Sequence, residues 1–124
     1  MSKERNDRRR RGRFGRLAES LCVWHLRARG FRVLARRYRA PVGEIDIIGR
    51  RGRLVAFIEV KARRNFDRAA ESLSAHQRRR ITRAAAAFLQ NPAQLQGLDQ
   101  RFDVMLGAPW RPPRHLIGAW RQDD

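Results

Sequence analysis

Two apolar runs that carry acidic residues constrain the fold of this chain more than any other feature of its sequence. The first is GEIDII at positions 43–48, and the second is VAFIEVK at positions 55–61. In both runs apolar residues alternate with charged ones, which is typical of β-strands. The basic segment RRGR at positions 50–53 lies between them and contains a turn-forming glycine. The sequence therefore predicts two neighbouring strands joined by a hairpin.

Strand parity decides where the charges of this hairpin lie. With a connecting loop of two or four residues, Glu44 and Asp46 share a sheet face with Glu59 and Lys61. Burying such charges without partners costs several kcal/mol, so the face requires a compensating partner. The opposite face is expected to be continuous core and consists of Ile45, Ile47, Leu54, Ala56, Ile58 and Val60.

A divalent metal ion would account for the carboxylates. Mg²⁺ or Mn²⁺ takes oxygen ligands and keeps several waters, so Asp46, Glu59 and the backbone carbonyl of Val60 suffice as protein ligands. Such an ion polarises a phosphoryl group and lowers the pKa of a bound water. Lys61, one of two lysines beside 27 arginines, would orient or deprotonate the attacking water. From spacing alone, an ion-pair cluster at the end of the sheet explains the same charges equally well.

Apolar periodicity predicts the other elements. Ser74 and Gln77 have the spacing of a capping box at the start of a helix. The order of elements is αβββαβ, an α/β fold with a mixed sheet flanked by helices. Helices are expected over residues 13–29 and 74–90, main strands over residues 31–39, 44–48, 54–62 and 101–106, and a short edge strand over residues 115–120.

The first predicted helix has two apolar strips. One strip, in which Trp24 is expected to reach the core, consists of Phe14, Leu17, Ala18, Leu21, Trp24 and Ala28. The other follows Glu19 and consists of Cys22, Val23 and Leu26. A carboxylate is thus embedded where the helix is otherwise apolar.

Composition bounds the class of protein. The chain has 124 residues, enough for one core, with residues 1–12 as a disordered basic arm and residues 13–124 as a single domain. A net charge of +17 points to a polyanionic partner, with nucleic acid first and an anionic membrane surface second. The single Cys22 forms no internal disulfide, and the sequence has no apolar run long enough to span a membrane and no signal-peptide pattern. A cytoplasmic location is expected.

Arginines on two segments are expected to contact phosphates. A solvated basic surface is the alternative reading of the same residues. The two groups are Arg8, Arg9, Arg10 and Arg11 in the arm, and Arg78, Arg79, Arg80 and Arg83 on the second helix.

An Asp followed on the next strand by Glu-x-Lys, here Asp46 and Glu59-Val60-Lys61, resembles the PD-(D/E)XK nuclease motif. A further Glu on the first helix, here Glu19, resembles the Holliday-junction-resolvase branch of that superfamily. Over about three quarters of the chain, the combined pattern looks like the YraN family of small bacterial endonuclease-like proteins. The other matching segments are Gly15, Leu34-Ala35-Arg36, GEIDII at 43–48, FIEVKAR at 57–63, Gln77 and Phe102-Asp103-Val104.

The resemblance implies an endonuclease-like core and a Mg²⁺- or Mn²⁺-dependent nuclease that acts on DNA, including branched or otherwise structured DNA. It implies catalytic roles for Asp46, Glu59 and Lys61, with Glu19 as an additional metal ligand. Gln77 corresponds to a polar residue that related nucleases carry on this helix. Three positions depart from the family pattern, in which Gly, Asn and Lys are usual: Ala18, Arg37 and His76.

Other interpretations remain open for several residues. Glu19 pairs with a basic neighbour in one of them, and capping alone explains Gln77. Asp103, between Phe102 and Val104, is expected to point to solvent rather than to the acidic cluster. Trp110 and Trp120 are unassigned, with base stacking as one option.

Rival functions for the whole chain are also open. The leading rival is a basic nucleic-acid-binding module that keeps the fold without turnover. The next is an interaction protein of a membrane or of a larger DNA-processing assembly. A homodimer is an open alternative to a monomer.

Overall fold

A single mixed sheet with one helix on each face forms the body of the protein. The computed structural model describes residues 2–64, 66, 73–90, 95–108 and 110–122, with the side chains of the first helix described from Gly15 onward. The strand order is β1-β2-β3-β4-β5, with β3 and β4 parallel and every other neighbouring pair antiparallel. The elements are α1 (Ser2–Ala28), β1 (Arg32–Ala40), β2 (Gly43–Arg51), β3 (Leu54–Ala62), α2 (Ala75–Leu89), β4 (Asp99–Ala108) and β5 (Arg111–Trp120).

These elements confirm the predicted α/β fold and the order αβββαβ, and they are consistent with an endonuclease-like core. The predicted hairpin is present, and a two-residue turn of Gly52 and Arg53 joins β2 to β3. Strands β1 and β2 form a second hairpin. In the described part of the chain, no helix is both long and apolar enough to cross a membrane.

The sheet is buried on both faces, as its apolar strands require. The cluster on the α2 side centres on Phe57, Phe102 and Ile81. The cluster under α1 consists of Cys22, Val23, Leu26, Phe31, Ile47, Ala56, Ile58 and Met105.

Helix α1 packs through the shorter of its two apolar strips. Cys22 and Leu26 are fully buried, whereas Leu17 is 47% and Trp24 66% exposed. The expectation that Trp24 lies in the core was wrong; its ring instead lies 5.7 Å from the guanidinium of Arg27. The shorter strip faces the sheet, and the small residue Ala18 of the longer strip is also fully buried.

The start of α1 also differs from the predicted boundary. The helix is continuous from Ser2, so its first turns contain residues 2–12 of the segment 1–12 that was assigned to a disordered arm. Arginine, lysine and glutamate all have good helix propensity, which is compatible with such an extension.

Two glycines set how closely the helices approach the sheet. A Cβ on Gly107 would lie 2.8 Å from the Cβ of Ala18, so α1 lies against the backbone of β4. A Cβ on Gly43 would lie 2.5 Å from the carbonyl oxygen of Arg80, so α2 lies against the start of β2. Both helices are thereby held beside the end of the sheet that carries Glu44 and Asp46.

Strand β5 is longer than the predicted segment 115–120. It begins at Arg111 and includes Pro112 and Pro113, which an edge strand tolerates because one side of it needs no backbone donor. It ends at Trp120, which is 4% exposed and stacks on Phe102 with ring centroids 5.2 Å apart. Trp120 is therefore a core residue, which excludes it from base stacking.

Candidate acidic site

The candidate site lies where β2 and β3 stop pairing. Backbone pairing of the two strands runs from Arg51–Leu54 to Ile47–Ile58. Beyond that point the carboxylate of Asp46 takes over, since its Oδ2 accepts a hydrogen bond of 2.8 Å from the backbone N–H of Val60. The side chain thus fixes the position of Val60, whose carbonyl is one of the predicted metal ligands.

Asp46 also lies at a break in strand alternation. Ile45 packs in the cluster on the α2 side, whereas Ile47 packs in the cluster under α1. The expectation that these two isoleucines share one face was wrong. The neighbouring strand is irregular at the same level, because Arg37, between the paired residues Arg36–Ile47 and Tyr38–Ile45, has φ of +52°.

The break directs the acidic side chains to both faces of the sheet end. A cavity of about 330 Å³ on the α1 side is lined by Glu19, Asp46 and Val60. A smaller cavity of about 190 Å³ on the α2 side is lined by Glu59 and Gln77. Glu44 borders both cavities. The acids therefore converge around the end of a strand. Strand parity had predicted that they share a single face of the sheet, which differs from this arrangement.

Asp46 and Glu59 influence each other's ionisation, and both are half-buried. Burial, and then the negative charge of Asp46, raises the pKa of Glu59 to about 8. Burial likewise raises the pKa of Asp46, against the hydrogen bond from Val60. Both shifts oppose simultaneous ionisation of the two acids, and a cation bound between them would favour the ionised forms.

Lys61 lies beside this pair. Its Nζ is 3.7 Å from Oε1 of Glu59, and its side chain is 13% exposed. The ammonium group is thus one of the positive charges that partly offset the burial of Glu59.

Glu19 approaches from α1 but is held by two arginines. Its Oε1 accepts from Nε of Arg36 and its Oε2 from Nε of Arg37, each at 3.2 Å. Both arginines are themselves partly exposed. The alternative in which Glu19 pairs with a basic neighbour is confirmed, and a ligand role for it requires these pairs to open.

Arg36 and Arg37 were not assigned to the site from sequence. Arg36 lay in the family-like segment Leu34-Ala35-Arg36, and Arg37 stands where the family usually has Asn. Asn adopts positive φ more readily than Arg, so that departure was the available signal. The negative charges of the site also act on Cys22. Burial, and then the charges of Glu19 and Asp46, raise the pKa of its thiol to about 12.

Gln77 caps α2. Its backbone N–H donates to Ser74 Oγ, and its Oε1 accepts from the backbone N–H of Ser74, both at 3.1 Å. This confirms the predicted capping box. The same side chain borders the cavity that Glu59 lines, so its catalytic role stays a prediction.

The predicted phosphate-contacting arginines differ in their surroundings. Arg79, Arg80 and Arg83 are exposed on α2, and Nε of Arg80 donates to the carbonyl of Val42 at 3.4 Å. Arg78 is half-buried, with a buried Nε that has no partner among the described residues. The side chains of Arg8, Arg9, Arg10 and Arg11 lie outside the described part of the chain.

Asp103 does not point to solvent, and that expectation was wrong. It is fully buried. Arg101 binds both of its oxygens, at 2.9 Å and 3.2 Å from Nε, and Nε2 of His115 lies 2.7 Å from Oδ2. In a strand buried on both faces every polar side chain needs partners, and Arg101 and His115 supply them on the α1 side.

A preformed cage of three side chains is absent from the described residues: no three His, Cys, Asp or Glu side chains converge on one point. The donors that do converge are Asp46, Glu59 and the backbone at Val60. A hard cation such as Mg²⁺ keeps several waters and needs few protein ligands, so this oxygen-only set fits it.

Comparison with known proteins gives a consistent family. A model of the uncharacterised protein family UPF0102 matches residues 18–106. A UPF0102 protein of Paramagnetospirillum magneticum is 49% identical over 90% of this chain and 89% of its own length. One from Parvibaculum lavamentivorans is 53% identical over 88% of this chain and 82% of its own length. Another, from Nitrobacter winogradskyi, is 50% identical over 86% of this chain and 90% of its own length.

Proposed function

The chain belongs to the UPF0102, or YraN, family, and from its acidic site we propose that it is a divalent-metal-dependent nuclease that hydrolyses phosphodiester bonds in DNA. The observation that carries the proposal is the pair of half-buried carboxyl groups of Asp46 and Glu59 beside Lys61. Burial and mutual repulsion make two ionised carboxylates unfavourable as an isolated structural pair. A divalent cation bound between them would remove that cost.

The protein ligands in this proposal are Asp46, Glu59 and the Val60 carbonyl. When bound, Mg²⁺ or Mn²⁺ supplies Lewis acidity toward the phosphoryl group and a lowered pKa for water. The hydrogen bond from Val60 N–H to Asp46 fixes the carboxylate toward the site before any ligand arrives. Fixed dipoles of this kind reduce the reorganisation that the reaction requires.

Lys61 positions the attacking water and the scissile phosphate. Its ammonium is a compact charge on a side chain that β3 holds at the edge of the pair. An arginine would present a planar fork that stays protonated, which suits this role less well.

Glu19 acts as a conditional ligand in this scheme. Arg36 and Arg37 hold it at 3.2 Å, and both arginines are partly exposed. A DNA phosphate that attracts these arginines would release Glu19 toward Asp46, with which it shares one cavity. Substrate binding and completion of the ligand set would then be coupled.

The substrate class follows from charge. A net charge of +17 and the exposed arginines of α2 favour contacts to the DNA backbone rather than to base edges. Branched or otherwise structured DNA is the proposed preferred form, and the cytoplasm is the proposed location.

A non-catalytic nucleic-acid-binding module is the second candidate, and one observation favours it. The acidic groups have partners within the protein, because Glu19 is held by two arginines, Asp46 by the backbone N–H of Val60 and Glu59 by Lys61. In that case the cluster is structural and the basic surface alone performs the function.

A cleavage screen separates the two candidates. Linear, nicked, flapped and four-way DNA are incubated with the protein and Mg²⁺ or Mn²⁺. We expect cleavage of at least one form by the parent and none by Asp46→Asn or Lys61→Ala.

The matched control is Glu44→Gln, which removes one carboxylate at the rim of the same cavities and should keep activity. Binding of DNA by Asp46→Asn should equal or exceed that of the parent, because an anion near the phosphate path is lost. Binding without cleavage of any DNA form by the parent would favour the non-catalytic module.

A further inference from the structure

A second cavity lies on the other flank of helix α1. The acidic cavity is bounded by α1 and strands β1–β3, whereas this one, of about 390 Å³, lies between α1, Phe66 and β5. Its volume is in the range of small-ligand sites. None of the described residues that border it is acidic. Besides two prolines, its lining consists of His25, Arg29, Phe66, Arg111, Arg114 and His115.

Two of the arginines are held by an aromatic ring. The guanidinium carbon of Arg111 lies 4.1 Å from the centroid of Phe66, and that of Arg114 lies 5.9 Å from it. A guanidinium that stacks on a ring keeps its N–H edges free for an oxyanion. Among the described residues, no carboxylate forms an ion pair with Arg29, Arg111 or Arg114.

The imidazole of His115 is held in one orientation by a buried carboxylate. Asp103 is fully buried, and its Oδ2 lies 2.7 Å from Nε2 of His115. Arg101 and the backbone N–H of Gly118 hold the same carboxylate, the latter at 2.9 Å. A buried carboxylate thus anchors one imidazole at the wall of a positively charged cavity, as a positioning residue does for a ligand-binding histidine.

His25 borders the same cavity and has an unsatisfied nitrogen. Its Nε2 is buried and lacks a hydrogen-bond partner among the described residues, which is costly unless a ligand supplies one. Burial, and then the positive charges of Arg29 and His115, lower the pKa of His25. The described residues that line the cavity include no acid to offset this positive charge.

We propose that this cavity binds a phosphate group through Arg111, Arg114 and His25. Arg29 closes the opposite wall, and His115 is held in place by Asp103. The shared chemistry is a phosphate oxyanion, and its two sources are a nucleic-acid strand or a small free phosphate compound. The site goes beyond the proposed nuclease function and does not depend on cleavage at the acidic site.

Histidine ring signals in NMR spectra test this site directly. The chain has three histidines, of which His25 and His115 border the cavity and His76 lies exposed on α2 as an internal reference. Inorganic phosphate is added to the full chain in EDTA at constant ionic strength. We expect the His25 and His115 signals to shift, the His76 signal to stay, and the measured pKa of His25 to rise.

Oligonucleotides then identify the source. A single-stranded DNA with a 5′ phosphate and the same DNA without it are titrated under the same conditions. Shifts of His25 and His115 with either DNA support a nucleic-acid strand as the source. Shifts with inorganic phosphate alone support a small phosphate compound.

Variants show whether the response belongs to the cavity. Arg111→Ala with Arg114→Ala should abolish the shifts, and Arg29→Ala, an exposed residue, should weaken them at least several-fold without a packing change. Arg32→Ala with Arg53→Ala removes the same charge from exposed positions and should leave the shifts intact. The proposal is overturned if neither phosphate nor DNA moves His25 and His115. It is equally overturned if inorganic phosphate moves His76 as much, or if the Arg111/Arg114 variant responds like the parent.

Discussion

The carboxylate of Asp46 accepts a hydrogen bond of 2.8 Å from the backbone N–H of Val60 at the point where β2 and β3 part. Burial and the negative charge of this carboxylate raise the pKa of Glu59, and a raised pKa links stability, pH and metal binding. The first two predictions follow from that linkage, and the others concern the packing that supports the site.

Without metal, the contribution of Glu59 to stability should fall as pH rises. Its pKa is about 8 in the folded protein against 4.5 ordinarily, so the folded state binds the proton more tightly. The contribution is therefore complete below pH 4.5 and is lost as pH rises to about 8, with a slope of at most about 1.4 kcal/mol per pH unit. Denaturant unfolding in EDTA should show this slope in the parent and a smaller one in Glu59→Gln. Glu44→Gln serves as the control, and equal slopes in all three proteins would contradict the assignment.

Divalent metal should raise the melting temperature, and more so at high pH. A cation competes with the proton on Glu59, whose pKa is raised, so Mg²⁺ or Mn²⁺ should stabilise the parent at pH 8 more than at pH 6. At a metal concentration of about 100 times Kd the stabilisation is about 2.7 kcal/mol. Asp46→Asn should lose the effect and Glu44→Gln should keep it. Metal-independent melting of the parent at both pH values would argue against a metal site.

Gly107 and Ala18 should show strong coupling in a double-mutant cycle. Gly107→Ala places a Cβ 2.8 Å from that of Ala18, an overpacking that costs about 1–3 kcal/mol. Ala18→Gly alone should cost about 1 kcal/mol of helix propensity. The double variant should be more stable than the sum of the two costs predicts, because the clash is removed. Additive costs in urea unfolding would mean that α1 does not lie this close to β4.

Arg37→Gly should be more stable than Arg37→Ala by about 1 kcal/mol. Both variants remove the guanidinium that holds Glu19, so their difference isolates the backbone conformation at φ of +52°. Chemical unfolding of the two proteins measures it. The same pair at Arg39, an exposed position with no recorded positive φ, should reverse the order, since alanine is favoured over glycine in a strand interior.

Asp103→Ala should destabilise the protein by about 3–5 kcal/mol, because it leaves the partly buried charge of Arg101 unpaired. Burial opposes ionisation of Asp103, but hydrogen bonds from His115, Arg101 and Gly118 lower its pKa overall. Its contribution is therefore present above its ordinary pKa of 3.8 and is lost as pH falls through the lower folded-state value. Asp99→Ala, at an exposed position of the same strand, should cost little. Similar unfolding midpoints for the two variants would contradict the buried network.

Sequence patterns were sufficient for the fold and for the proximity of Asp46, Glu59 and Lys61, because alternation and turn residues are local properties. Strand parity placed Ile45 beside Ile47, because an arginine does not itself indicate positive φ and the Asn usual in the family was the one signal at Arg37.

Trp24 was misplaced for a different reason. Hydrophobicity ranks a tryptophan above Cys22, yet the small residues allow the closer approach of α1. The partners of Asp103 could have been inferred only from the tertiary fact that β4 is covered on both faces. The metal, the substrate and the roles of Glu19 and Gln77 stay predictions.

Both margins of the sheet resist the addition of a further strand. Strand β1 presents several arginines and a left-handed residue at Arg37, and β5 presents Pro112 and Pro113 in place of two backbone donors. Charged, kinked or proline-containing margins oppose templated growth into cross-β polymers. These margins oppose aggregation through exposed backbone, including at the high local concentration that the proposed binding to a polyanion would create, and a homodimer would use surfaces other than these margins.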